Sequence, residues 1–379
     1  MGIGQEFMLM KHLSWKGPLL DVSGYAAAGR GYIRACEYGD IIVQAQDRSR
    51  SINLKDKGID ERIFSIYRKL ENNKIPDDSP CVQHQVPDCF YINKKSKYSI
   101  GFTIFEMNSV PSRWVPYCNL MDVIWTGSHF SKAAFMTSNV KTKIEVVPHA
   151  LDLDIYNPEA KPWIIKNKRA FCFLSVFDFT ERKDWKTLLR AYWNTFSKKD
   201  DVCLILKVFF GGFGDHFVKD IYDRISSYRM ECGAENGGTI LVYGHDILDK
   251  DMPGLYRACD CYVGTSREGF GLTYCEAMAC GLPCIGPQVG GTREFMSEEN
   301  SFLVHYQGDD TIGLETLGMY PDFAGIKWPT HSCEHLSFLM RQVYENTEER
   351  TKKAQKGLKD VSEMLSYKSI GRKMQELLP

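Results

Sequence analysis

Residues 265–294 read TSREGFGLTYCEAMACGLPCIGPQVGGTRE, and this stretch decides the fold. An apolar run at 261–263 predicts a short strand, which leads into the loop Glu268-Gly269-Phe270-Gly271. A helix is expected to start at Leu272 or Thr273, with Glu276 on its first turn, and Gly281-Leu282-Pro283 should end it. Residues 284–285 read as the next buried strand, followed by Gly290-Gly291 and Glu294. Backbone amides at a helix start, beside glycines that permit close approach, suit a phosphate. Glu268 and Glu276 flank that place and would repel phosphate, so they should accept hydrogen bonds from hydroxyls next to it. A diphosphate set between polyhydroxylated rings satisfies both demands, and a nucleotide-sugar has that chemistry.

The same segment resembles the Glu-x7-Glu signature of the retaining glycosyltransferases of family 4. Glu268 and Glu276 stand at its two positions, and EGFGL, EAMACGLP and GGTRE match the family pattern around them. The resemblance is closest over 239–295, looser over 120–210 and faint elsewhere. It implies the α/β GT-B fold: two Rossmann-like domains whose parallel sheets face a central cleft. It also implies transfer of a sugar to an acceptor hydroxyl with retention of anomeric configuration.

Composition agrees with an ordinary globular chain. It has 379 residues, 44% hydrophobic and 25% charged, enough for two or three domains with separate cores. The net charge of −1 gives no global basic field for nucleic acid. The first ten residues lack a basic start followed by an apolar core, and no run approaches the length of a membrane span. The expectation is a cytoplasmic protein with no transmembrane segment, with peripheral membrane contact left open. Many of the 13 cysteines sit in apolar runs, such as Cys172, Cys203, Cys261 and Cys284. Cys259 and Cys261 have no second pair to complete a zinc pattern, so buried reduced thiols are expected.

Strand-like runs fall at 41–44, 98–105, 123–126 and 144–147, then at 171–177, 202–210, 239–243, 261–263 and 284–285. Helical patterns lie between several of them, as at 185–196 and 217–232. Such alternation argues for parallel sheets covered on both faces. Residues 152–168 contain Pro158, Pro162 and several charges without periodicity, and read as a linker. The expected division is an acceptor-side domain at 1–160, a nucleotide-sugar domain at 161–365, and a C-terminal helix at 366–379 packing back on the first.

The opening of the second domain runs from a strand into Thr180-Glu181-Arg182-Lys183-Asp184. Two adjacent cations beyond a strand end could neutralise a diphosphate and the charge that grows on it as it leaves. Lys183 matches the family's donor-phosphate lysine. Phe177 and Asp178 stand where the family carries an arginine, and Arg182 is the candidate replacement. By the same resemblance Glu276 would hold the nucleotide ribose and Glu268 the transferred sugar, so the catalytic set is Glu268, Lys183 and Arg182. The amides of Gly271, Leu272 and Thr273 would take the diphosphate. Tyr243 and His245 are candidates for the base, Lys207 for a second phosphate contact or a structural ion pair, and Gly24 for close approach in the 17–25 loop. Each has a plain alternative as a cap, a turn or a core residue. On the acceptor side Glu106 follows a strand, and His84 precedes a loop, Gln85-Val86-Pro87, that could enter the cleft. Glu294 is equally readable as structural. Ser128 should cap a helix beginning at His129.

No cofactor and no metal are expected beyond the nucleotide-sugar itself; Asp152-Leu153-Asp154 matches an acidic metal motif in letters but lies in the linker. The acceptor reads as a glycan, a lipid-linked sugar or a small molecule. Two rivals remain: a nucleotide-sugar epimerase on the same fold, and a non-catalytic nucleotide-sugar-binding protein, which the missing arginine favours.

Overall fold

Alternating short apolar runs and amphipathic segments pair into two parallel sheets, seen in a computed structural model that describes residues 10–21, 23–49, 61–209, 216–245 and 247–379. The first sheet contains β1 (Lys11–Gly17), β2 (Ile41–Asp47), β3 (Cys81–His84), β4 (Ser99–Phe102), β5 (Val123–Thr126) and β6 (Lys143–Val146). Their order is β2-β1-β3-β4-β5-β6, parallel throughout. The second contains β7 (Phe171–Asp178), β8 (Val202–Phe209), β9 (Thr239–Tyr243), β10 (Cys261–Val263), β11 (Cys284–Pro287) and β12 (Phe302–Val304). Their order is β12-β11-β10-β7-β8-β9, again parallel. A separate antiparallel pair, β13 (Tyr306–Thr311) and β14 (Lys327–His331), follows.

Helices α1 (Gly24–Tyr38), α2 (Glu61–Glu71), α3 (Trp114–Cys118) and α4 (His129–Thr137) accompany the first sheet. The second half carries α5 (Trp185–Thr195), α6 (His216–Glu231), α7 (Met252–Arg257), α8 (Leu272–Ala279), α9 (Leu314–Met319), α10 (Cys333–Glu345), α11 (Thr347–Met364) and α12 (Tyr367–Leu377). Ser128 caps α4 as its sequence predicts, its Oγ accepting from the Ser131 amide at 3.1 Å. Among the described residues no helix is long and apolar enough to cross a membrane.

Three core strands escaped the sequence pattern. β1 alternates buried and half-buried residues in KHLSWKG, with Leu13 and Trp15 facing in. β3 is central and wholly buried, yet half of its CVQH sequence is polar. The Gln83 amide is satisfied there by the backbone of Tyr91, which lets a polar residue occupy the sheet centre. β12 has only three residues, too few for a periodic signal.

The last helix belongs spatially to the first sheet. Ile370, Met374 and Leu378 join the core of Leu13, Trp15, Tyr32 and Ile33. Lys11 Nζ donates to the carbonyls of Gln375 at 2.9 Å and Leu378 at 2.6 Å, caps a helix C-terminus favours. Chain therefore passes between the halves twice, at 147–170 and again near 365, where Leu151 bridges Ser366.

Candidate active site

Strand order fixes where a ligand can sit. In the second sheet β7 and β10 are neighbours whose chains depart toward opposite edges, so a crevice opens beyond their carboxyl ends. Arg182 and Lys183 follow β7 there, and Glu268 follows β10. The three meet: Lys183 Nζ lies 2.5 Å from Glu268 Oε1, and Arg182 Nη1 lies 3.4 Å from Glu268 Oε2. Arg182 also reaches across to the N-terminal half, 3.4 Å from Glu106 Oε1. Arg182 and Lys183 sit on a single 3-10 turn just before α5, and Asp184 closes that turn with φ 51°.

The electrostatics of this cluster follow from burial set against pairing. Burial pushes the Glu268 carboxyl up, but the charges of Lys183 and Arg182 and hydrogen bonds from Lys183 and Ser266 outweigh it and hold the group below its ordinary value. Burial and the neighbouring Arg182 lower the Lys183 ammonium despite Glu268. Asp178, also buried, is raised against the pull of both cations, and its Oδ1 has no hydrogen-bond partner among the described residues.

Glycine geometry shapes the second wall. Gly271 has φ 99°, a left-handed conformation that turns the chain into α8. Gly291 passes against the backbone of Gly269, where a Cβ would stand 1.9 Å from its carbonyl oxygen, and the Gly291 amide donates to Glu268 O at 2.7 Å. The two glycine loops are thus locked together. The N-terminal half grips the same loop, because Ser128 Oγ donates to Gly269 O at 2.6 Å. Glu294 accepts from the His129 amide at 3.0 Å and lies 3.0 Å from His129 Nδ1, so it ties the second glycine loop to the start of α4.

Glu276 stands one residue beyond the first turn of α8 rather than on it. Its Oε2 accepts from Tyr256 Oη at 2.7 Å. Burial pushes this carboxyl up to about 7, helped by the charge of Asp249 and opposed by hydrogen bonds from Tyr256 and Tyr156. Asp249 itself pairs with Arg30 of α1 at 3.0 Å, a second bridge between the halves.

Other sequence candidates fall elsewhere. Gly24 is the first residue of α1, with open space where a side chain would be. Thr273 accepts from Tyr262 Oη at 2.7 Å, and Leu272 opens α8 behind Gly271. Tyr243 ends the edge strand β9 beside buried Lys207 of β8, and His245 follows on the surface. Lys207 Nζ donates to Val208 O at 3.3 Å. His84 is not on an open loop: it ends β3, is 2% exposed, and packs among Trp15, Tyr25, Tyr32 and Phe102. Burial drives its imidazole down to about 3, with help from nearby His149, so the ring is neutral. Its place before Gln85-Val86-Pro87 suggests a loop entering the cleft; the aromatic cage around the ring explains why it is buried instead.

Arg267 is the main residue the sequence did not single out. Only 5% exposed, it donates from Nε to Pro329 O at 2.8 Å and from Nη1 to Glu181 O and Arg182 O at 3.3 and 3.4 Å. Its guanidinium lies 3.5 Å from Asp184 and 4.2 Å over the Trp328 ring. It therefore holds the backbone of the Arg182–Lys183 turn. No spacing in the sequence announces a buried arginine whose partners are carbonyls.

Comparison with known proteins gives this geometry a setting. Residues 168–314 match the family model described as glycosyl transferases group 1. A D-inositol 3-phosphate glycosyltransferase of Salinispora tropica is 38% identical over 74 residues, 19% of this chain and 15% of that protein. Spore coat protein SA of Bacillus subtilis is 23% identical over 253 residues, 61% of this chain and 62% of its own. The chain thus spans less than two thirds of either relative. Among solved structures, Anabaena HepE in complex with UDP and glucose superposes with a TM-score of 0.64 over 97% of this chain and 98% of its own, at 13% identity. The fold is GT-B.

Proposed function

We propose that this chain is a retaining glycosyltransferase that moves a sugar from a nucleoside-diphosphate sugar to an acceptor hydroxyl. The observation that carries the reading is the meeting of Arg182, Lys183 and Glu268 at the β7–β10 crevice, beside the glycine-led start of α8. The family match over 168–314 and the UDP and glucose of the HepE complex support it.

In this reading the donor exchanges partners with the resting cluster. The diphosphate draws Lys183 and Arg182, and the amides at Gly271, Leu272 and Thr273 complete its cradle. Glu268, released from Lys183, accepts hydrogen bonds from the sugar. Glu106, released from Arg182, faces the acceptor. As the glycosidic bond breaks, negative charge grows on the departing diphosphate, and the two cations stabilise that charge more than they stabilise the bound donor. The acceptor hydroxyl attacks the same face and gives its proton toward the leaving phosphate, so the enzyme supplies position and charge. The acceptor is a glycan, a lipid-linked sugar or a small molecule, and the donor base and sugar are the matter of the first experiment. That experiment is a melting-temperature panel of UDP, GDP, ADP and their sugars, followed by donor hydrolysis with the one that stabilises. A ligand at a hundred times its dissociation constant adds about 2.7 kcal/mol. No stabilisation by any of them would sink the reading.

Two further outcomes are expected. The product keeps the donor's anomeric configuration, and activity survives a strong chelator because Lys183, Arg182 and the α8 amides carry the charge. Proton NMR of the product, with and without chelator, decides both: an inverted product overturns retention, and loss of activity with chelator shows that a divalent ion takes part.

A third outcome concerns pH. Glu276 binds ribose hydroxyls as an acceptor, which favours the ionised form, yet burial holds the free carboxyl near 7. Nucleotide binding should therefore release a proton, and affinity should fall about tenfold per pH unit below pH 7. Glu276→Gln should bind more weakly at pH 8 and lose this slope between pH 5.5 and 7. Calorimetry in buffers of different ionisation enthalpy measures the proton directly. A wild-type affinity that is flat across that range would remove Glu276 from the ribose site.

A further inference from the structure

Between β12 and α10 the chain makes an excursion, residues 306–331, that contains β13, α9 and β14. Its larger part, residues 315–331, lies beyond the segment that matches the glycosyltransferase family, which ends at 314. Its two sides make contacts of different kinds.

One side docks on the N-terminal half. Asn108 donates its amide to Lys327 O at 3.2 Å and its Nδ2 to Asp309 Oδ2 at 3.0 Å, and its Oδ1 accepts from the Lys327 amide at 3.3 Å. Phe323 packs edge-on against Phe105 at 5.5 Å and Trp114 at 6.4 Å, and Asp322 pairs with Arg113 at 3.0 Å. Ile312, Phe323, Ile326 and Trp328 share one core with Phe105, Met107 and Trp114. These contacts surround Glu106 on both sides in sequence.

The other side docks on the turn that carries the cations. Glu181 Oε2 accepts from the Thr316 amide at 3.1 Å and Thr316 Oγ1 at 3.0 Å. Gly313 lies so close that a Cβ would collide with the Glu181 carboxylate. Pro329 and Trp328 receive Arg267, which in turn holds the carbonyls of Glu181 and Arg182.

We propose that residues 306–331 are a strap that sets the position of Arg182 and Lys183 relative to Glu106, with Glu181 as the positioning residue on the cation side and Phe323 as the anchor on the other. Arg182 and Glu106 come from different halves, and each lies within two residues of a side chain or backbone group seated on the strap. A buried apolar core at one end and a doubly accepting carboxylate at the other transmit displacement better than exposed ion pairs would. Arg113–Asp322, half-exposed, adds little. The strap rests on the proposed function only for its effect on catalysis; the mechanical coupling stands apart from it.

The experiment is amide hydrogen exchange on the unliganded full chain, joined to kinetics. The variants are Glu181→Ala, Glu181→Gln and Phe323→Ala. The Asn108 amide, bonded to Lys327 O, reports the N-terminal side, and the Lys183 amide, bonded to Thr180 O at 3.1 Å, reports the cation side. Glu181→Ala is expected to speed exchange at Asn108, in the other half, by tenfold or more, and Phe323→Ala to do the same at Lys183. Glu181→Gln keeps an oxygen that can accept from Thr316, so it should restore the wild-type rates. Turnover should fall about tenfold in Glu181→Ala while the dissociation constant of the stabilising nucleoside diphosphate moves less than twofold. Exchange that changes only on the mutated side, or a Gln variant as loose as the Ala variant, overturns the strap. Coupled exchange in a protein that no nucleoside diphosphate or nucleotide-sugar stabilises keeps the strap and overturns the function. If Phe323→Ala does not fold, the Glu181 pair decides alone.

Discussion

Replacing Lys183 by Ala is expected to cost about a hundredfold or more in turnover while donor affinity falls less than tenfold. Lys183 is the more deeply placed of the two cations, with a side chain 11% exposed and its ammonium 2.5 Å from Glu268. A cation in such a place gains most from charge that develops late, when the diphosphate separates from the sugar. Ground-state binding is shared with Arg182 and the α8 amides, so it suffers less. Burial also lowers the Lys183 ammonium, which would be a costly bare charge with Glu268 gone. Glu268→Gln should therefore impair turnover too. Steady-state rates combined with calorimetric donor binding separate the two quantities, and a Lys183→Ala enzyme with normal turnover would reduce Lys183 to a structural lysine.

Arg267→Ala should lose about 3–5 kcal/mol of folding stability, the usual result of removing one member of a buried ionic network. Three carbonyls, those of Glu181, Arg182 and Pro329, lose a donor, Asp184 loses its cation, and Trp328 loses the plane stacked on it. Arg267→Lys should recover little, because an ammonium cannot reproduce a planar fork that serves several partners and stacks on indole. Denaturant unfolding of the three proteins measures this, and a loss below 1 kcal/mol in Arg267→Ala would show the network to be dispensable.

Much of the fold was legible because the carboxyl-end loops carry their chemistry in consecutive letters. The strands at 123–126, 239–243 and 261–263 match their predicted spans, and the run read as 98–105 shortens to Ser99–Phe102. The shortening has a cause: Thr103 onward leaves the ladder, Thr103 Oγ1 lying 3.1 Å from Tyr25 Oη and Phe105 bonding to Ser131 Oγ. Arg182, Lys183 and Glu268 come together as the sequence groups them, and Glu106, expected on the acceptor side, stands beside Arg182, whereas Tyr243, His245 and His84 lie away from that cluster. The strap was illegible for a different reason. Its strand β13 is almost wholly exposed and reads YQGDDT, without alternation, and its anchors are single residues whose partners lie some two hundred positions away. Local pattern reports what a segment does for itself, and the strap does its packing for someone else.

The return of α12 to the first sheet has a consequence for how the polypeptide is made. As the chain emerges from the ribosome, the face of α1 that α12 covers, and the pocket that Ile370, Met374 and Leu378 fill, stay bare until the whole second sheet and then α12 have been made. The half that is synthesised first is thus the half that finishes last. A ribosome stalled before α12 would hold out a chain with its earliest-made core unsealed, a natural target for chaperones and proteases.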